Sequence, residues 1–207
     1  MDRLATGVSV LDRQLDGGLP IGSVVVLKAE PASQSELFLN TFTSVRETLY
    51  LTTVRSADAV ADGFERSTTR VGEPTIRSIA GDVSLDNAAE TVSSLSERST
   101  LVVDSLAPLE GSDPVRYRRF LEELRSHVRE TESIAVLHAL KRGTPSGNRV
   151  VSQQIADVVF DLRTTKSGTE IVNRLGVPKF RGGAALEETM KLKLSDTVAV
   201  DTSRDIA

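Results

Sequence analysis

The stretch that decides the fold lies near the start of the chain. It reads Leu4-Ala5-Thr6-Gly7-Val8-Ser9-Val10-Leu11-Asp12, then Leu15-Asp16-Gly17-Gly18-Leu19-Pro20-Ile21-Gly22-Ser23, and runs into Val24-Val25-Val26-Leu27. The β-branched run that follows the entry segment predicts a buried strand. Working outward, four more such runs follow: Thr48 to Val54, Pro74 to Ile79, Thr100 to Asp104 and Ser133 to His138. Between them lie helical patterns, which is the layout of βαβ units around a parallel sheet whose strands are covered on both faces. Ser84 is placed to cap a helix with Leu85, Ala88, Val92 and Leu95 on one face, and Asp113-Pro114 opens another that buries Phe120, Leu121, Leu124 and Val128.

After residue 157 the pattern changes to strands without helices. Asp157 to Thr165, Thr169 to Lys179, Thr189 to Leu194 and Thr197 to Val200 predict an antiparallel extension, with a hairpin turn at Lys166-Ser167-Gly168. No repeat or long linker divides the chain, so residues 1–207 are expected to form one α/β domain, a size that buries a core without staples.

Composition narrows the chemistry. The absence of cysteine excludes thiol catalysis, disulfides and thiolate metal sites, and with His127 and His138 as the whole histidine complement, a histidine-rich metal site is excluded too. A Ser-His-Asp triad would have to draw on one of those two. The balance of 25 Lys+Arg against 29 Asp+Glu, a net charge of −4, gives no global field for wrapping nucleic acid. No apolar run is long enough for a membrane span, and Met1-Asp2-Arg3-Leu4 lacks the features of a secretory leader, so a cytoplasmic protein with no membrane partner is expected.

In order and spacing, the entry segment resembles the KaiC-like branch of the RecA-type ATPases, a group that includes archaeal RecA-like proteins. The resemblance extends to the Leu101 to Asp104 strand, the strand ending at His138, Ile155-Ala156-Asp157-Val158-Val159, and Val177-Pro178-Lys179-Phe180-Arg181-Gly182-Gly183, which looks like that family's K-x-R element. It implies a RecA-like P-loop NTPase fold: a central, mostly parallel sheet flanked by helices, with C-terminal antiparallel strands.

The same resemblance puts Ala29-Glu30-Pro31-Ala32-Ser33-Gln34-Ser35-Glu36 where the phosphate loop belongs. A working loop reads G-x-x-x-x-G-K-[ST]: glycines let the backbone N–H groups turn inward, lysine reaches the phosphates and the hydroxyl holds Mg²⁺. Here no glycine is present, Ser35 takes the lysine position, Glu36 takes the hydroxyl position and Glu30 adds a further negative charge. Arg55 and Ser56 stand where the family's water-positioning glutamate belongs. Asp104, at the Walker B position, reads as a polar strand end beside Ser105. Ser33-x-x-Glu36 has the form of a capping box, an internal substitute for the bound anion.

These substitutions imply a pseudo-ATPase: not an enzyme, without cofactor or metal, acting as a regulatory or protein-interaction module. Its expected partner is another copy or a related active RecA/KaiC-like ATPase. Lys179 and Arg181 are the candidate inter-subunit contact, against the plain reading that they project to solvent from alternate strand positions. The alternative is an atypical ATP-binding regulator, with Mg²⁺-ATP bound weakly and DNA touched through the 141–149 loop, where Lys141, Arg142 and Arg149 sit among Gly, Pro and Ser. No aromatic is interleaved there for base stacking, which argues against DNA. His138 reads as a hydrogen-bonded residue at the core's edge. Arg116, Arg118, Arg119, Arg125 and Arg129, interleaved with glutamates, read as a salt-laced helix face, with pairs at Arg118–Glu122 and Arg119–Glu123.

Overall fold

The computed structural model describes residues 2–141, 143–195 and 197–201. A short β1 (Arg3–Leu4) and β2 (Leu19–Pro20) form a two-stranded antiparallel ribbon around α1 (Ser9–Gln14). Two hydrogen bonds tie the entry segment to α1: Asp12 Oδ1 accepts from the Thr6 N–H at 2.7 Å and from the Thr6 hydroxyl at 2.8 Å. Two glycines have no substitute. Gly7 (φ +89°) and Gly18 (φ +118°) are left-handed, and a Cβ on either would lie 2.2 Å from the Thr41 carbonyl or 2.3 Å from that of Leu4.

The main sheet has nine strands in the order β11-β10-β9-β8-β3-β7-β6-β4-β5. Its parallel part comprises β3 (Val24–Ala29), β4 (Thr48–Thr52), β5 (Thr75–Ser78), β6 (Thr100–Asp104), β7 (Ile134–Leu140) and β8 (Val158–Ser167). The strands β9 (Glu170–Phe180), β10 (Met190–Leu194) and β11 (Val198–Val200) continue antiparallel from β8. The expected layout of a parallel sheet with an antiparallel extension is therefore found. One strand departs from expectation: β5 is the sheet edge, and its Thr75, Arg77 and Ser78 are exposed rather than covered.

Strand alternation divides the core in two. On one face Val25, Leu27, Val136 and Phe160 pack with Leu11 of α1, Phe38 and Phe42 of α2 (Ser35–Thr43) and Val60 of α3 (Ala57–Glu65). Phe38 stacks edge-on to both Phe42 and Phe160. On the other face Val24, Val26, Val103 and Leu137 meet α4 (Leu85–Val92), α5 (Pro114–Glu130) and α6 (Gly147–Ile155). The foreseen caps form: Ser84 accepts from the Asn87 N–H, and Asp113 accepts from the N–H groups of Val115 and Arg116. Along α5 the Arg119–Glu123 pair closes at 2.8 Å, while Arg116 reaches Asp86 and Arg125 reaches Asp157.

Candidate functional site

Parallel strands end together, so the polar residues at the carboxyl ends of β4, β6 and β7 converge beside the start of α2. Register sets Asp104 opposite His138 on β7 and Thr52 on β4. Asp104 Oδ1 meets His138 Nδ1 at 2.7 Å, while Oδ2 accepts from the Tyr50 hydroxyl and from Arg55 Nη2, each at 2.8 Å. The other Arg55 nitrogen, Nη1, reaches Glu36 at 3.1 Å, and Ser35 Oγ lies 3.1 Å from His138 Nε2. The result is a continuous chain from Ser35 through His138, Asp104 and Arg55 to Glu36.

Burial alone raises the Asp104 carboxyl, but the hydrogen bond and charge of His138, the Tyr50 hydroxyl and Arg55 outweigh it and hold the pKa at about 2. The ionised carboxylate is a hydrogen-bond acceptor for the imidazole Nδ1–H, and the Ser35 hydroxyl lies within hydrogen-bond reach of Nε2. Burial first, then the neighbouring Asp104 charge, pushes the Tyr50 hydroxyl well above its ordinary value, so it remains a donor. Ser35, His138 and Asp104 have the connectivity of a nucleophile, base and orienting carboxylate. Ser35 and His138 are each only 3 % exposed, so the hydroxyl has no open face for a substrate. The geometry makes a closed network.

Two expectations are corrected here. The capping box does not form: Ser33 Oγ donates to the Glu30 carbonyl at 2.6 Å, and the Glu36 carboxylate faces Arg55. The physical reason is register, because α2 starts at Ser35 with Gln34 at the cap, one residue later than the pattern requires, and no side chain caps it. Asp104 is also no idle strand end, since three donors hold it. His138 is buried and hydrogen-bonded as anticipated.

The 141–149 segment is corrected as well. It is a loop only as far as its cap, Ser146, after which α6 begins. Arg149 lies inside that helix, 6 % exposed, with its guanidinium clasping Glu110 at 2.6 and 2.7 Å. It is unavailable to a nucleic acid. Lys141 is held by Glu30, Asp161 and the Leu162 carbonyl. Arg142 lies outside the described residues. Nor do Lys179 and Arg181 project freely: Lys179 Nζ donates to the Gln153 and Gln154 carbonyls at 2.7 and 2.9 Å, and Arg181 donates to the Gln154 and Ile155 carbonyls. These are the orphan acceptors at the C-terminus of α6, where cations are favoured.

The partners Tyr50, Glu110 and Asp161 had no sequence signal beyond strand parity for Tyr50, and Arg55 was legible only as a departure from a motif. Among the described residues no three His, Cys, Asp or Glu side chains gather as a metal-ion site, and no helix is long and apolar enough to cross a membrane.

The nine-stranded order and the carboxyl-end cluster define a RecA/KaiC-like α/β fold. The KaiC-like protein PH0186 from the hyperthermophilic archaeon Pyrococcus horikoshii OT3 is similar in structure, with a TM-score of 0.73 over 97% of this chain and 99% of that one, at 16% sequence identity. The chain itself belongs to a family of unknown function, DUF7125, whose sequence model matches residues 3–207. No curated protein matches it in sequence.

Proposed function

We propose that this protein is a RecA/KaiC-like pseudo-ATPase, a regulatory or protein-interaction module that does not hold Mg²⁺-ATP at its phosphate-loop position and does not hydrolyse it. The observation that carries the reading is the Arg55 guanidinium, which spans Glu36 and Asp104 at 3.1 and 2.8 Å. By the resemblance, those two residues stand at the two positions from which the family serves Mg²⁺. A fixed cation of the chain thus neutralises the carboxylates that a metal would need. The loop itself supports the same conclusion. Among the described residues the non-glycine positions with positive φ are Asp16, Arg98 and Glu132, so residues 29–36 contain no left-handed residue to fold the backbone into an anion-binding nest. Ser35 supplies no charge for a phosphate, and its hydroxyl is committed to His138. Nucleotide and Mg²⁺ do not fit these residues, and no catalytic step is assigned to them.

The partner proposed is a second copy or a related active ATPase. Arg181, half exposed after its bonds to α6, supplies the candidate contact, while Lys179 is committed to helix carbonyls. DNA is a poor partner because Arg149 is buried against Glu110. The test is phosphate release by purified protein with Mg²⁺-ATP, read together with mass by light scattering. The reading expects release no faster than buffer, and a complex that Arg181→Ala weakens. Turnover at about 1 s⁻¹, typical of a slow enzyme, would overturn it.

A further inference from the structure

On the α6 face of the sheet, opposite the Asp104 network, a cleft of about 670 Å³ opens between β8, α6 and the loop after β7. That volume is in the range of small-molecule sites. Lys28 points this way because it shares parity with Val24 and Val26, which pack on the same face. Three cations crowd one carboxylate there: Lys141 at 2.7 Å, Arg163 at 3.5 Å and Lys28 at 3.6 Å from Asp161. Glu30, partly exposed, adds a second negative charge beside Lys141 at 3.2 Å. Three positive charges against two leave the group one positive charge in excess, and the Arg149–Glu110 pair on the cleft wall is neutral.

We propose that this cleft binds a small phosphate-bearing metabolite of about mononucleotide size, with Lys28, Lys141 and Arg163 as its anion contacts. The depth of the cations selects a small ligand over a polymer. Lys28 and Lys141 are only 25 % and 19 % exposed, out of reach of an extended nucleic-acid backbone, whereas Arg163 at 70 % is exposed and only loosely held by Asp161. The arrangement gives recessed charges to accept the phosphate and an exposed guanidinium at the rim to pair with it, as arginine pairs with phosphate oxygens. Asp161 and Glu30 hold the cations in place and compete with the ligand for them. The proposal draws on Glu30 at the start of the loop between β3 and α2 and stands independently of residues 31–36.

The experiment is calorimetric titration of the full chain with inorganic pyrophosphate, with amide chemical shifts recorded alongside. The expected result is saturable binding with a Kd near about 1 mM and shifts at Thr164 and Thr165. Arg163→Gln should weaken it by about tenfold, the effect of one charge-assisted contact. Glu30→Gln should tighten it by several-fold, a sign that a merely structural role would not give; both residues lie on the surface, so both variants should fold. No saturable binding up to about 10 mM, or binding indifferent to both substitutions, would overturn the proposal while leaving the pseudo-ATPase reading untouched. Shifts confined to residues 31–36 would overturn both. A single-stranded oligonucleotide that shifts Thr164 and Thr165 at about 150 mM salt while pyrophosphate does not would also overturn it.

Discussion

The two faces of one parallel sheet carry contrasting polar clusters at their carboxyl ends. On the α2 face the charges alternate along a line, Glu36–Arg55–Asp104, and the line closes on His138 and Ser35 with both of those side chains buried. On the α6 face three cations converge on Asp161 and a cleft stays open beside them. Strand parity makes the division, since neighbouring residues on a strand face opposite layers. The difference teaches what charge matching does to a polar cluster. A cluster of matched charges satisfies itself and shuts, whereas an unmatched cluster retains room for a ligand.

The largest effect that would sharpen this contrast lies at the wall of the open face. Arg149→Ala leaves Glu110 buried without its partner, and breaking such a pair costs about 3–5 kcal/mol. Urea unfolding of this variant should show a loss of that size. A stable variant with a lost DNA shift would instead return Arg149 to the role of a nucleic-acid contact.

Next in size is the closed face. With a pKa of about 2 when folded and about 3.9 when unfolded, Asp104 adds stability that is complete above about pH 4 and is lost as the pH falls from about 4 to 2. The contribution is about 2–3 kcal/mol. Asp104→Asn should therefore melt well below the wild type at neutral pH, and the gap between the two should narrow through that acid window. A gap constant with pH would break the claim that the carboxylate's charge holds the network.

The smallest effect separates the network from the cap it was expected to contain. Ser33 spends its hydroxyl on the Glu30 carbonyl, so Ser33→Ala should cost only about 0.5–1 kcal/mol, an ordinary exchange of a hydrogen bond for water. A thermal-melting loss near the upper end of a helix cap's contribution, about 2 kcal/mol, would show that the cap forms after all.

The strands along the chain and the helices α4 and α5 were legible because each rests on local signals: the β-branched runs and the Ser84 and Asp113 caps. The site was legible in its parts and not in its pairings. That Ser35, Glu36 and Arg55 depart from a phosphate-loop pattern can be seen residue by residue. That Arg55 bridges Glu36 and Asp104 needs the fold, because the three residues lie far apart in the chain and meet only through parallel strand register. Arg149 misled for a similar reason. Its neighbours Gly143, Pro145 and Gly147 read as loop, and nothing local announces Glu110 as its partner across the α6 face. Ser33-x-x-Glu36 misled because a cap depends on where the helix starts, and a one-residue difference in that start removes it.

The central claim is that Arg55 occupies the electrostatic position a nucleotide-bound metal would need. Isothermal titration of the purified chain with Mg²⁺-ATP tests it most directly. The account predicts no binding tighter than the millimolar range expected of the Lys28, Lys141 and Arg163 cleft, and no change in the heat on Glu36→Ala. A Kd in the low micromolar range, lost on Glu36→Ala, would contradict it.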